Sequence, residues 1–450
     1  MKANDIRAEN LKYVLFPWSK QAGLNPTPVT KAEGVFFWDA DGKRYTDFAS
    51  QLVCVNAGHQ HPKIVKAIQD QAGQLCYMAP SIATEARGTL ARMIAEVVPG
   101  DLNKVYFTGG GAESTDYAIK IAKAVTGRPK VISRFRAYHG ASNTGISMTG
   151  DWRRAYNEPA LWGVLHTYQP YCYRCTFGQE PETCKRECVS SIEELIQHEN
   201  PDFIAAIMIE TVPGAAQGIY MAPDDYLPKL RALCDKYGIL LICDEVMCGW
   251  GRTGKWFAFD HWNVKPDIMT TAKGLTNSMV PLGAVVVSDK IAKHFEENTL
   301  WSGSTYSGHA LACAAGIAAI NVYREEKLIE NSARLGEVLA REFRKLKAKH
   351  VSVGEVRGKG LFQAIELVKD RKTREPLMSS KEEPYATKGG MSGIKKVLSD
   401  GGIYIFTRPN LLVVAPPLCI TEEQLMDGVR IIDKSLDVAD AMVETRAAAE

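Results

Sequence analysis

No run in this sequence approaches the roughly eighteen consecutive apolar residues of a membrane-spanning helix. The opening residues, MKANDIRAEN, also lack the apolar stretch of a secretion signal. A cytoplasmic protein with no membrane partner is expected. An excess of charge of one sign is missing as well: 54 Lys plus Arg against 52 Asp plus Glu leave a net charge of +2, too weak a field to attract nucleic acid. Internal repeats and low-complexity tracts are absent. Disulfide arithmetic fails too, because the eleven cysteines are an odd number and a 450-residue chain has core enough without staples. What remains, 46% hydrophobic and 24% charged residues, is the composition of an ordinary globular protein.

From about residue 100, short β-branched runs alternate with helical stretches. Strands are predicted over 105–108, 131–133, 204–210, 239–245, 268–272 and 284–288, with helices over 113–125 and 225–237. Such alternation implies an α/β fold with a mostly parallel central sheet covered by helices. Beyond His309 the pattern turns helical as far as Lys349. Strand-like text follows over 354–367 and 403–415, and then a closing helix whose start, Thr421-Glu422-Glu423-Gln424, fits a capping box. Near the N-terminus, 36–39 and 45–48 flank the turn Asp41-Gly42, a hairpin signal. The expected organisation is a large domain over 61–325 and a smaller α+β domain built from residues 1–60 and 326–450.

Four features carry chemistry. Asp244 closes the apolar run ILLICDE, and Lys273 follows the strand-like DIMTTA, so both fall at carboxyl ends of strands, the edge where open α/β sheets bind ligands. Thr108-Gly109-Gly110-Gly111-Ala112-Glu113-Ser114 lies between a strand and a helix, where small residues let backbone N–H groups approach an anion. Ala137-Tyr138-His139-Gly140 offers an aromatic ring at the same edge. Each has an ordinary structural alternative: a turn-capping acid, a solvated lysine, a tight corner or a packed surface ring. Together, a phosphate cradle, a ring, a carboxylate and an amine are the parts that pyridoxal 5′-phosphate requires, with the lysine as Schiff-base partner and the carboxylate holding the pyridine nitrogen protonated.

The segments TGGGAES, AYHGAS, DEVMCGWGRTGKW, AKGLTN, PLGAVVVSD, STYSGHALACAA and APPLCIT, in that order over nearly the whole chain, resemble the class III (ω-type) aminotransferases of pyridoxal-phosphate fold type I. The resemblance implies that Lys273 carries the cofactor as a lysine aldimine and that Asp244 pairs with its ring nitrogen. It further implies that Tyr138 stacks on the ring with His139 beside it, that Val246 packs against it, and that Gly110, Gly111 and Ala112 bind the phosphate. Thr305 would reach the phosphate of a neighbouring subunit, which implies a homodimer with shared active sites. The reaction implied is amino transfer in two halves through pyridoxamine phosphate. Met247 departs from the family, which often has a Gln there; a thioether cannot donate a hydrogen bond to the cofactor.

Substrate is less legible. Arg408 suits a carboxylate or sulfonate, Glu210 is a possible counter-charge, and Trp18 resembles an aromatic that lines the family's pocket. The Cys-Tyr-Arg-Cys insertion and the short loop at Arg408 resemble the branch that uses taurine or β-alanine with 2-oxoglutarate or pyruvate. A racemase, an aminomutase, a decarboxylase and a non-catalytic cofactor-binding regulator are the alternatives. Two motifs mislead. Residues 249–254 satisfy G-x-G-x-x-G and 249–255 satisfy G-x-x-x-x-G-K, yet neither the Ser or Thr nor the helix those motifs need comes next. Cys172, Cys175, Cys184 and Cys188, spaced C-x2-C-x8-C-x3-C, have the density of a structural zinc site, but the fold has no evident need of one and no metal is expected.

Overall fold

The structure, a computed structural model, describes residues 2–378 and 391–447. Its centre is a seven-stranded sheet in the order Leu102–Thr108, Gly283–Ser288, Ile268–Thr271, Leu240–Asp244, Ile204–Glu210, Lys130–Arg134 and Val164–Thr167. Gly283–Ser288 runs antiparallel to both its neighbours, and the other pairings are parallel. This is the mostly parallel α/β sheet expected.

Unbroken apolar text such as IAAIMI follows from burial on both faces. Residues alternate between the faces, so Ala206 and Met208 join a cluster with Tyr117, Ile121 and Val285. Ile207 and Ile209 point the other way, into a larger core with Leu90, Leu230 and Phe257. Helix Gly111–Thr126 lies over the first face and stops at Gly127, which takes the left-handed conformation at φ +68° that glycine adopts without Cβ strain.

The two ends of the chain meet. Hairpin strands Val29–Glu33, Phe36–Asp39 and Arg44–Asp47 form a four-stranded sheet completed by Ile403–Tyr404, which pairs parallel with Arg44–Asp47. The strand-like text over 354–367 is not one strand. It is a hairpin, Val353–Lys359 and Phe362–Asp370, because Gly360 turns at φ +54° with its backbone pressed on Thr253 too closely for any Cβ. The text over 403–415 likewise divides into Ile403–Tyr404, Phe406–Arg408 and Leu411–Val414. The capping box forms: Thr421 N–H donates to Gln424 Oε1 at 2.9 Å and Gln424 N–H donates to Thr421 Oγ1 at 3.2 Å. Among the described residues no helix is long and apolar enough to cross a membrane.

Candidate active site

Strands Leu102–Thr108, Lys130–Arg134, Ile204–Glu210, Leu240–Asp244 and Ile268–Thr271 all point their carboxyl ends at one edge of the sheet. A cavity of about 300 Å³ opens there, walled by Gly111, Ala112, Tyr138, His139, Glu210, Asp244, Val246, Met247 and Lys273. Residues from five connections, up to 162 positions apart in the chain, therefore share one volume because parallel strands deliver their ends to one place.

Each wall residue has a local cause. Asp244 ends its strand almost wholly buried; its Oδ2 lies 2.7 Å from His139 Nδ1 and its Oδ1 accepts the Val246 N–H at 2.9 Å. His139 Nε2 is buried and has no hydrogen-bond partner among the described residues. Glu210, also buried, accepts the Tyr138 N–H on Oε1 at 2.8 Å and the Gly214 N–H on Oε2 at 2.7 Å. Burial raises its pKa, opposed by His139 and those two N–H groups and assisted by Asp244. Lys273 sits in the turn after its strand at φ +48°. Burial lowers its pKa, against the opposing influence of Cys54, Asp244 and Glu210, which favours the neutral amine that attacks a carbonyl.

Gly110 caps helix Gly111–Thr126 without any side-chain cap, so first-turn N–H groups are left for an anion where Gly111 and Ala112 wall the cavity. A Cβ on Gly111 would stand 2.8 Å from Val246 Cγ1, and one on Gly140 would stand 2.6 Å from Ala112 Cβ. Small residues here are steric requirements. A helix terminus for a phosphate, an apolar wall and a ring for a heterocycle, a buried carboxylate and a depressed amine are chemically what pyridoxal phosphate needs.

Trp18, Thr305 and Arg408 do not wall this cavity. Trp18 is 48% exposed. Thr305 lies in an exposed loop, where its carbonyl accepts the Tyr77 hydroxyl at 3.1 Å. Arg408 ends strand Phe406–Arg408, with its guanidinium over the Phe406 ring. That strand borders a second cavity of about 500 Å³, walled by Phe37, Tyr45, Lys395, Tyr404 and Thr407, which contains none of the strand-end acids or Lys273. Volume alone would favour it; the chemistry belongs to the smaller space.

Sequence reading missed a chain of contacts behind Tyr138. The Arg153 guanidinium lies 4.0 Å from the Tyr138 ring centroid and pairs with Asp151, whose Oδ2 also accepts the amide N–H of cavity-lining Gln217 at 2.8 Å. No motif spacing joins positions 138, 151 and 217, so only the Asp151–Arg153 charge pair was a signal. Glu245, next to Asp244, is fully buried and accepts the Ala258 and Phe259 N–H groups; burial pushes it up to about 7. The glycines at 249–254 are no nucleotide cradle. Cβ atoms on Gly251 and Gly254 would strike Ile329 and Ala333, so the turn is packed against helix Leu328–Lys349.

Residues 19–436 match the family model for class III aminotransferases. The putrescine–pyruvate aminotransferase of Pseudomonas aeruginosa is 35% identical over 98% of each chain. The taurine–pyruvate aminotransferase of Bilophila wadsworthia is 32% identical over 97% of this chain and 98% of its own. A crystal structure of taurine:2-oxoglutarate aminotransferase from Bifidobacterium kashiwanohense, in complex with PLP and glutamate, superposes with a TM-score of 0.93. It is 43% identical and covers 98% of this chain and 99% of that one.

Proposed function

This chain belongs to the class III aminotransferases, enzymes that depend on pyridoxal phosphate, and from that premise we propose that its amine donor is an ω-amino acid of the taurine or β-alanine type. Its acceptor is 2-oxoglutarate or pyruvate. The cofactor, when bound, supplies the aldehyde that carries the amine and a ring that accepts electrons.

The protein's own part follows from the cavity walls. The first turn of helix Gly111–Thr126 would hold the phosphate, and Tyr138 and Val246 would hold the ring. Asp244, oriented by His139, places negative charge where a ring nitrogen keeps its proton. Lys273, its ammonium disfavoured by burial, is the base that takes the proton from the donor's carbon at Nζ and returns it on the other side of the transfer. Met247, whose Sδ accepts the Ala215 N–H at 3.2 Å, closes the wall without adding a donor. Thr305 acts in the site of a second copy of the chain, and Trp18 lines the substrate pocket of the assembled enzyme. Exposed aromatic surface beside Thr305, with Trp301 89% and Tyr306 65% accessible, supports that homodimer. Arg408 receives the anionic end of the substrate across the assembled site.

The observation that carries the reading is Lys273 and Asp244 on one cavity with an uncapped helix terminus. The relative with taurine and 2-oxoglutarate in its name supports the substrate class. Coupled assays of taurine, β-alanine, putrescine and an α-amino acid against both acceptors test it. Taurine or β-alanine should exceed the others by at least about tenfold in kcat/KM. A preference for putrescine would refute the donor assignment, and turnover without any acceptor would refute transamination in favour of racemisation.

A further inference from the structure

The four cysteines of the insertion are unused by the chemistry above. Cys172 lies in the turn Cys172–Arg174 and Cys188 in the first turn of helix Glu187–Glu199. With Cys175 and Cys184 they wall one cavity of about 20 Å³, room for roughly one small ligand atom or water. Burial pushes Cys172 up to about 11, with Cys175 and Cys184 adding to the shift. Burial pushes Cys188 up to about 12, with Cys172, Cys184 and Cys175 adding to it.

One of the four is different. Arg186 donates from Nη1 to Cys184 Sγ at 2.7 Å and is itself held by Asp225 Oδ1 at 2.6 Å from its Nε. Cys184 is therefore the cysteine of the four that this guanidinium touches and holds in place. The insertion is also anchored: Arg174 Nε donates to Glu366 Oε1 at 2.5 Å, and Arg374 Nη1 donates to the Tyr173 carbonyl at 2.8 Å. The 172–175 turn is thus tied to residues far outside the insertion. Among the described residues no three His, Cys, Asp or Glu side chains are arranged to hold a metal ion.

We infer that this cavity is a thiol-oxidation site, where hydrogen peroxide oxidises Cys184 and Cys172 or Cys188 captures the product as a disulfide. The Cys184 sulfur attacks one peroxide oxygen; an S–O bond forms, the O–O bond breaks, and the leaving hydroxide takes a proton to become water. The second thiol then attacks the oxidised sulfur. An S–S bond forms, the S–O bond breaks, and the departing hydroxide leaves as water with the thiol's proton. Two thiols lose two electrons in total, and one peroxide becomes two waters.

The test treats reduced, desalted holoenzyme with equimolar hydrogen peroxide, blocks free thiols, and maps a non-reduced digest by mass spectrometry. The expected product is lighter by about 2 Da and contains a peptide linking Cys184 to Cys172 or Cys188. Cys184→Ser should lower the yield of any disulfide in the insertion at least about tenfold, and Arg186→Gln should slow its formation about threefold or more. Exposed Cys76 is the internal comparison. Oxidation confined to Cys76, an undiminished yield in Cys184→Ser, or purified protein carrying about one equivalent of zinc with the quartet protected from alkylation would each overturn the inference. The wild-type map decides even if a variant does not fold.

Discussion

Replacing Glu210 with Gln probes how the cavity is held open at nearly constant side-chain shape. Both carboxylate oxygens accept a backbone N–H, from Tyr138 at 2.8 Å and from Gly214 at 2.7 Å. An amide keeps one acceptor and turns its own N–H2 toward the other donor. The lost charge-assisted bond is worth about 1.5–3 kcal/mol, and the surviving bond weakens by about 1 kcal/mol once it is no longer to a charge. Part of this is returned because burial already opposes the Glu210 charge, leaving a net cost of about 2–3 kcal/mol. The free protein can escape the clash by letting Tyr138 or Gly214 move away. On the proposed reading, in which Tyr138 and Gly214 wall the cofactor cavity, binding draws them back into place, so the cost is expected at that step. Equilibrium titration of apoprotein with pyridoxal phosphate should show Kd higher by roughly 30- to 150-fold in Glu210→Gln. Protonation has the same effect as the amide, so wild-type affinity should fall as pH drops through the Glu210 range, which burial has raised, while the variant stays flat. A variant Kd within about threefold of wild type would refute the role assigned to these two bonds.

Lys273→Ala should lower the rate of amino transfer by at least about 10⁴-fold, measured in single-turnover half-reactions; activity surviving that change would remove Lys273 from its assigned role. Gly111→Ala places a Cβ 2.8 Å from Val246 Cγ1 and should weaken cofactor binding by about 1–3 kcal/mol. Adding Val246→Ala should recover most of that loss, and failure of the rescue would mean that the two residues do not share the wall. Glu245 has a folded value of about 7 against an ordinary 4.5, so between those pH values the unfolded chain releases a proton that the folded chain keeps. Its contribution is fully present below about pH 4.5, declines by roughly 3 kcal/mol as pH rises to 7, and is level above that. Urea midpoints at pH 5 and pH 7.5 should show this decline in wild type and a smaller one in Glu245→Gln; parallel slopes would contradict it.

Much of the site was legible because strand ends are. Apolar runs closed by Asp244 and Glu210, and a run followed by Lys273, mark one sheet edge once the fold is read as parallel, and all three residues wall the cavity. Gly111, Ala112 and Tyr138 follow from the same argument. The short edge strand Val164–Thr167 carried no pattern that the sequence analysis assigned to a strand. The hairpin at Gly360 was read as continuous because its turn is imposed by the backbone of Thr253, about a hundred residues earlier. Gln217 and Arg153 carry no local pattern that would reveal them. Trp18, Thr305 and Arg408 rest on the family resemblance alone, and on a single chain they stand outside the cavity.

The order of elements, the sheet class and the chemical parts were determined by the sequence alone. Hydrophobic period and turn chemistry are local properties, and parallel topology then carries strand ends to one edge. Tertiary structure alone decided what those parts became. It set His139 against Asp244 across 105 positions and made a carboxylate beside the site titrate near 7. It also depressed the Lys273 ammonium and gathered four sulfurs around one small cavity. Each of these depends on how much water is removed around a group and which charges replace it, and spacing along a chain encodes neither.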